Sequence, residues 1–120
     1  MPLVRISFLE GRPAAYRRAI ADSVHRAIVG TADVPASDRF QVITEHTPES
    51  LIYDPTYLDI GRTDDLVFVQ ITLNAGRSME QKRALYGRVL ELMAKNVGVR
   101  PQDVLISLIE VACESSPSIN

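Results

Sequence analysis

An internal repeat at an offset of 65 residues constrains this chain more than any other feature of its sequence. A Gly-Arg pair at positions 11 and 12 recurs at positions 76 and 77, and the same offset runs without a gap from Val4 to Glu45. Ten of the 42 residue pairs that it brings together are identical, and the apolar positions recur as well. The repeat predicts two copies of one structural unit.

The first unit has the pattern of a strand, a helix and a second strand. Apolar and polar side chains alternate over residues 3–8, which is typical of a strand with one face on a core. Pro13 suits the first turn of a helix, and apolar residues at 16, 20, 24, 27 and 28 form one stripe down to about Val29. A turn over 30–37 leads to a strand at 39–45, which the right-handed crossover rule makes parallel to the first.

The second unit repeats this order. Residues 66–73 form its first strand, Ser78 and Gln81 form a capping box that opens a helix to about Asn96, and residues 104–111 form its last strand. The segment 46–65 is rich in Pro, Tyr and Asp, and we expect it to wrap an edge of the sheet or to reach a neighbouring subunit. We predict one domain over 1–120, with βαβ units at about 2–45 and 66–112 joined by the linker 46–65.

These elements predict an α+β fold in which two βαβ units form a four-stranded sheet with both helices on one face. The strand sequences LVFVQITL and VLISLIEV are apolar on both of their faces, so the face without helices needs a partner. We expect a homo-oligomer whose sheets face inward, and the repeat favours a closed ring.

Composition excludes several classes of partner. The chain is 46% hydrophobic and 23% charged, and its net charge of −2 disfavours nucleic acid and anionic membranes. Cys113 is the one cysteine and cannot form an internal disulfide. No segment has the pattern of a signal peptide or a membrane span, so we expect a cytoplasmic protein. His25 has no second ligand at metal spacing and His46 starts the linker, so neither a metal nor a cofactor is expected.

Pro2 differs in chemistry from its counterpart in the repeat. Cells usually remove an initiator methionine before a residue as small as proline, which would leave Pro2 with a secondary amine, a base and nucleophile held in fixed geometry. Val67 occupies the equivalent position inside the chain and has no amine. At this position of the repeat, only one unit of each subunit could therefore supply an amine-based site. Met-Pro is also an ordinary way for a chain to begin, and with Met1 retained the nitrogen would be a non-basic amide.

Four segments, MPLVRI, LEGRP, VPASDRFQ and ITLNAGRSMEQKRALY, together resemble the tautomerase superfamily. Within it, the chain is similar to the double-length subgroup that includes malonate semialdehyde decarboxylase, over about residues 2–112. The resemblance implies a homotrimer of two-unit chains, a pseudo-hexamer, with proline as the terminus after methionine loss. A trimer would then hold three amine-based sites.

Arg77 is the favoured anchor for a substrate carboxylate. The resemblance implies that the two units lie antiparallel, so that the segment from Asn74 to Arg77 falls beside Pro2. A guanidinium can hold a carboxylate through two charge-assisted hydrogen bonds. Arg12 lies at the opposite end of its own strand and could meet Pro2 only across a subunit boundary. The Gly-Arg pairs could instead recur only because they form the turn from strand to helix.

Asp38 and Asn74 are further candidates. Asp38 matches the carboxylate that the resemblance implies beside the proline, but its counterpart Asp103 has no amine nearby, so an aspartate here could simply satisfy backbone donors in a turn. The resemblance implies a further arginine just before the one that Arg77 matches. The nearest position in this sequence is Asn74, which can donate a hydrogen bond to a carbonyl oxygen. The relatives also often continue into an aromatic tail that lines the site, whereas this sequence ends in ESSPSIN.

The sequence thus predicts a cofactor-independent enzyme in which the amine of Pro2 transfers protons on small 2-oxo or enol carboxylic acids. To act as a base, the nitrogen needs a pKa lowered by apolar burial and by a cation such as Arg77. A nearby Asp38 would favour the ammonium form, and Pro2 would then act as an acid in decarboxylation of a 3-oxo acid or hydration of an unsaturated acid. A non-catalytic oligomeric binding module of the same fold is the remaining alternative.

Overall fold

The computed structural model describes residues 2–112. Met1, Cys113 and the C-terminal residues ESSPSIN, for which the sequence analysis stated expectations, lie outside the described residues. The helices and strands follow the order strand, helix, strand in each half of the chain: β1 Leu3–Leu9, α1 Ala14–Thr31, β2 Gln41–His46, β3 Val67–Asn74, α2 Met79–Asn96 and β4 Val104–Val111.

The four strands form one mixed sheet in the order β2-β1-β3-β4. β1 is parallel to β2 and β3 is parallel to β4, as the crossover rule predicts, whereas the central pair β1 and β3 is antiparallel. In that central pair Leu3 lies opposite Thr72 and Phe8 lies opposite Val67. The first strand of one unit therefore starts where the first strand of the other unit ends.

Both helices pack on one face of this sheet, which confirms the predicted α+β fold. Alternate residues of the central strands, such as Ile6 and Ile71, are fully buried against the helices. α1 contributes Ile20 and Val24 to the same core cluster, and α2 contributes Val89. The period-2 and period-3.6 patterns thus meet in one hydrophobic core.

The other face of the sheet carries neither α1 nor α2, and we call it the open face. Among its apolar residues Val42 is 46% exposed, Leu105 is 43% exposed and Ile109 is 38% exposed. Arg5, Ser7 and Gln70 lie between them, so the open face is mixed rather than uniformly apolar. An exposed group of apolar side chains on a sheet is typical of a surface that packs against another chain.

Local boundaries differ slightly from the sequence-based expectation. Pro13 is the residue that precedes α1, with φ −63° and ψ 159°, rather than a member of its first turn. α1 continues to Thr31, and β2 begins two residues later than expected, at Gln41. The capping box of α2 is present: the Ser78 hydroxyl accepts the Gln81 N–H at 3.1 Å, and the Gln81 side chain accepts the Ser78 N–H at 3.0 Å.

The linker covers the end of the sheet at which β1 ends and β3 begins. Leu51 of the linker is buried, and the Glu10 N–H donates to the carbonyl of His46 at 2.9 Å. A short 3₁₀ turn at Tyr57–Asp59 forms part of this segment. The linker thus closes the end of the sheet opposite to Pro2.

Candidate active site

Pro2 lies at the start of β1, which is an interior strand of the sheet. The Val4 N–H donates to the carbonyl of Phe40 at 3.0 Å on one side, and Leu3 pairs with Thr72 of β3 on the other. Pro2 is buried. The start of the chain therefore sits between the residues that lead into β2 and the last residues of β3.

Arg77 follows β3 at this same end of the sheet. The preceding residue, Gly76, has φ +126°, a left-handed conformation that glycine adopts without strain, and Gly11 holds the matching place at φ +105°. These values give a structural reason for the recurrence of glycine before arginine. The turn directs the Arg77 side chain back across the end of α1.

The Arg77 guanidinium is held by two backbone carbonyls. Its Nε and Nη2 donate to the oxygen of Ala32 at 3.0 and 2.9 Å, and its Nη1 donates to the oxygen of Asn74 at 2.8 Å. Ala32 caps the C-terminus of α1, where carbonyl groups lack helical partners and the helix dipole is negative. These bonds use three of the five N–H donors of an arginine, so two donors remain for another acceptor.

Arg12, the counterpart of Arg77 in the repeat, lies at the far end of β1. The seven residues of β1 span about 20 Å, so Arg12 is well separated from Pro2 of the same chain. Its guanidinium forms an ion pair with Asp65 of the linker and lies 5.3 Å from the centre of the Tyr16 ring. Two identical residues of the repeat thus have different partners.

Asp38 and Asp103 differ in the same way. Asp103 is fully buried, and its carboxylate accepts from the Thr63 N–H at 2.7 Å, the Thr63 hydroxyl at 2.8 Å and Arg100 Nε at 3.0 Å. Burial raises the pKa of Asp103, but the hydrogen bonds from Arg100 and Thr63 outweigh it, so the net pKa is lowered. Asp103 therefore joins the linker to the start of β4, whereas the sequence analysis considered only backbone donors of the turn as partners for such an aspartate.

Asp38 is half-exposed and lies three residues before β2. It is therefore at the same end of the sheet as Pro2. Its N–H donates to the carbonyl of Pro35 at 3.0 Å, which forms a turn before the strand. Asn74 ends β3 opposite Val111, and alternation along β3 puts its side chain on the open face while Leu73 faces the helices. Pro2, Asp38, Asn74 and Arg77 thus gather at one end of the sheet, and Arg12 does not.

Comparisons with known proteins establish the family of this chain. A family model described as "Tautomerase enzyme" matches residues 38–115, and a second model with the same description matches residues 2–59. The chain is 36% identical over 108 residues to the probable tautomerase YusQ of Bacillus subtilis (strain 168), covering 90% of this chain and 85% of that protein. The chain belongs to the tautomerase family.

Two solved structures carry this family likeness further. FG41 malonate semialdehyde decarboxylase inhibited by 3-bromopropiolate is 37% identical, with a TM-score of 0.85, over 92% of this tautomerase-family chain and 83% of that one. A malonate semialdehyde decarboxylase described by its decarboxylase and hydratase activities is 30% identical, with a TM-score of 0.84, over 92% and 84% of the two chains. Both likenesses match the predicted double-length subgroup.

A fused 4-OT symmetric trimer shares the tautomerase fold at 20% identity, with a TM-score of 0.76, over 92% of this chain and 85% of that one. This likeness concerns the fold, and it shows that chains with this arrangement of strands and helices are found as trimers.

Neither α1 nor α2, the two long helices within residues 2–112, is apolar enough to cross a bilayer.

Sequence reasoning did not identify the partners of Arg77. The carbonyl of Ala32 and the side chain of Gln81 lie beside the arginine, but a backbone carbonyl leaves no trace in residue type. The sequence did single out Gln81, as the second residue of the capping box of α2. Its further contacts depend on how α1 packs against α2, which no local pattern encodes.

Proposed function

We propose that this protein is a cofactor-independent tautomerase in which the amine of Pro2 moves a proton between the carbon and oxygen atoms of small 2-oxo or enol carboxylic acids. The observation that carries the proposal is the antiparallel register of β1 against β3, because it brings the start of the chain beside the segment that ends in Arg77. Membership of a family of tautomerase enzymes supports a catalytic role over a binding module without activity.

In this mechanism, the two remaining N–H donors of Arg77 hold the substrate carboxylate. The guanidinium also adds a positive charge near the amine, and together with the burial of Pro2 it lowers the pKa of the nitrogen. The unprotonated amine takes the proton from one atom of the enol system and returns it to the other, so no cofactor is required. Asn74 assists by donating to the carbonyl oxygen if its side chain turns toward the substrate.

The functional unit in this proposal is a homotrimer in the cytoplasm. The exposed apolar residues of the open face support the association of copies of this chain, as does the trimer found among proteins of the same fold. Arg12 would take part only where a subunit boundary brings it to the Pro2 of another chain. A chain with one cysteine needs no oxidising compartment, which supports the cytoplasm.

Turnover of phenylenolpyruvate tests the proposal. The enol and keto forms absorb differently in the ultraviolet, so conversion can be followed directly, and an intact mass measured on the same sample establishes whether Met1 is absent. We expect conversion well above the buffer rate by protein that lacks Met1. Protein that lacks Met1 and still converts this enol no faster than buffer would contradict the proposal.

Replacing Arg77 by lysine should raise the KM for phenylenolpyruvate by about 10- to 100-fold, because a lysine keeps the charge but loses the fork that donates two bonds of about 1.5 to 3 kcal/mol each. The measurement is the steady-state KM. Arg83→Ala, on the exposed part of α2, is the control and should leave KM unchanged. An Arg77→Lys variant with the KM of the wild type would exclude Arg77 as the anchor, and a raised KM in Arg12→Ala would reveal a site that crosses a subunit boundary.

A second candidate function is decarboxylation of a 3-oxo acid or hydration of an unsaturated acid, with Pro2 protonated. It is favoured by the likeness to malonate semialdehyde decarboxylases and by the position of Asp38 at the same end of the sheet as Pro2. A carboxylate near the amine raises the pKa of the nitrogen and so favours the ammonium form.

Titration of the Pro2 nitrogen separates the two candidates. In protein labelled with ¹⁵N-proline, the nitrogen of a working base is largely unprotonated at neutral pH, and the nitrogen of a working acid is largely protonated. Asp38→Asn should lower the pKa of the nitrogen in either case, because it removes a negative charge. An unchanged titration in Asp38→Asn would show that this carboxylate does not act on the amine.

A further inference from the structure

The two helices are joined, beside Arg77, by the side chain of Gln81. Its Oε1 accepts the N–H of Ser78 at 3.0 Å and so completes the capping box of α2. Its Nε2 donates to Asp33 Oδ2 at 3.1 Å and lies 3.5 Å from the carbonyl oxygen of Thr31. One amide group therefore contacts both the start of α2 and the end of α1.

These contacts lie next to the Ala32 carbonyl and next to the backbone of Arg77, both of which help to set the position of the guanidinium. Ser78 follows Arg77 directly in the chain, and Thr31 and Asp33 flank Ala32, whose carbonyl accepts two of the arginine's bonds. Asp33 has φ +55°, so the chain turns sharply just after that carbonyl. A shift of the α1 end relative to the α2 start would move the carbonyl away from the guanidinium.

We propose that Gln81 is a positioning residue that orients Arg77 for carboxylate binding by fixing the end of α1 to the start of α2. The inference rests on the proposed function only for the consequence in catalysis, since the contacts among Gln81, Asp33 and Thr31 are independent of any substrate. With the Ala32 carbonyl held in place, two N–H donors of Arg77 stay bound to it and a third stays bound to the Asn74 carbonyl, so the remaining two point in one fixed direction.

Gln81→Glu separates this role from helix capping. Glutamate keeps the oxygen that caps Ser78, since a capping box accepts either residue, but it replaces the Nε2 donor by an oxygen that repels the Asp33 carboxylate. We expect the KM for phenylenolpyruvate to rise about 10-fold with kcat changed less than about 2-fold, because loss of anchoring affects binding of the substrate and of the transition state alike.

Two further variants make the test specific. In Gln81→Glu with Asp33→Asn, the new asparagine donates to the new glutamate, and asparagine tolerates the left-handed conformation of position 33. The contact is thereby restored with reversed polarity, and KM should return to within about 2-fold of the wild-type value. Ser78→Ala removes the capping hydroxyl but leaves the Gln81 donor in place, and its KM should stay at the wild-type value.

A readout that needs no turnover accompanies the kinetics. The Arg77 Nε–H, assigned in NMR spectra by its absence from Arg77→Lys, donates to Ala32 and should exchange slowly with solvent. Its exchange should accelerate at least about 10-fold in Gln81→Glu and slow again in the double variant, by the same loss and recovery of the contact. If the exchange rates follow this pattern but the protein does not convert phenylenolpyruvate, the proposed function is contradicted and the positioning role of Gln81 is not. Unchanged exchange and KM in Gln81→Glu, no recovery in the double variant, or an equal rise of KM in Ser78→Ala would overturn the positioning role.

Discussion

Replacing Pro2 by alanine is expected to lower the rate of phenylenolpyruvate conversion by about 10²- to 10⁴-fold, the contribution of a positioned acid-base group, while the oligomeric state stays that of the wild type. Alanine is also small enough for methionine removal, so the variant keeps a terminal amine. That amine is primary and is no longer part of a ring that fixes φ, so it is neither as basic nor as rigidly held. The measurement is kcat/KM, together with gel filtration and the intact mass.

The matched control for this variant is Pro48→Ala. Pro48 lies in the exposed turn after β2, so its loss tests the effect of removing a proline without touching the start of the chain. We expect wild-type kcat/KM for this control. A further variant that carries an uncleaved residue before Pro2 converts the amine to an amide and should be as inactive as Pro2→Ala or more so. Wild-type turnover by either Pro2 variant, with the terminus verified by mass, would remove Pro2 from the mechanism.

Replacing Asp103 by alanine is expected to lower the free energy of unfolding by about 3 kcal/mol, because it leaves the Thr63 N–H and the Arg100 side chain without their buried acceptor. Asp103→Asn should cost less, since an amide oxygen can still accept one of these bonds. Urea denaturation at one fixed protein concentration measures both effects, because association contributes to apparent stability. Glu49→Ala, in the exposed linker, is the control and should change stability by less than about 0.5 kcal/mol.

The lowered pKa of Asp103 gives this prediction a definite dependence on pH. A carboxylate whose pKa is lower in the folded state stabilises the protein above the ordinary value of 3.8, and this stabilisation is lost as pH falls through the lowered folded pKa. The difference in unfolding free energy between wild type and Asp103→Asn should therefore be largest near neutral pH and should shrink in acid. A difference that grows on acidification would contradict the assigned role of Asp103.

Much of the fold followed from patterns within a few residues. The capping box of α2 needed only Ser78 and Gln81, and β4 occupies the residues that its apolar run predicted. Parallel pairing within each unit followed from the helical crossover that joins its two strands. The chain order of the elements was therefore readable from spacing alone, with errors of one or two residues at the ends of α1, β1, β2 and β3.

The candidate site was predictable only in part. Its residue types were identified by the repeat and by the family resemblance, but the repeat pairs Arg12 with Arg77 and Asp38 with Asp103 as if they were equivalent. In the fold, Arg12 contacts the linker whereas Arg77 contacts the end of α1. The distinction could not come from the repeat, because the linker occurs once and breaks the symmetry of the two units.

The sequence by itself determined that the chain contains two βαβ units and that glycine precedes arginine at both turns. The tertiary structure alone decided what each repeated residue contacts. The physical reason is separation along the chain: the bond from Arg77 to Ala32 joins residues 45 apart, and that from Thr63 to Asp103 joins residues 40 apart. Local propensity acts over one turn of helix or one strand, whereas these contacts exist only once the helices, the linker and the sheet have packed together.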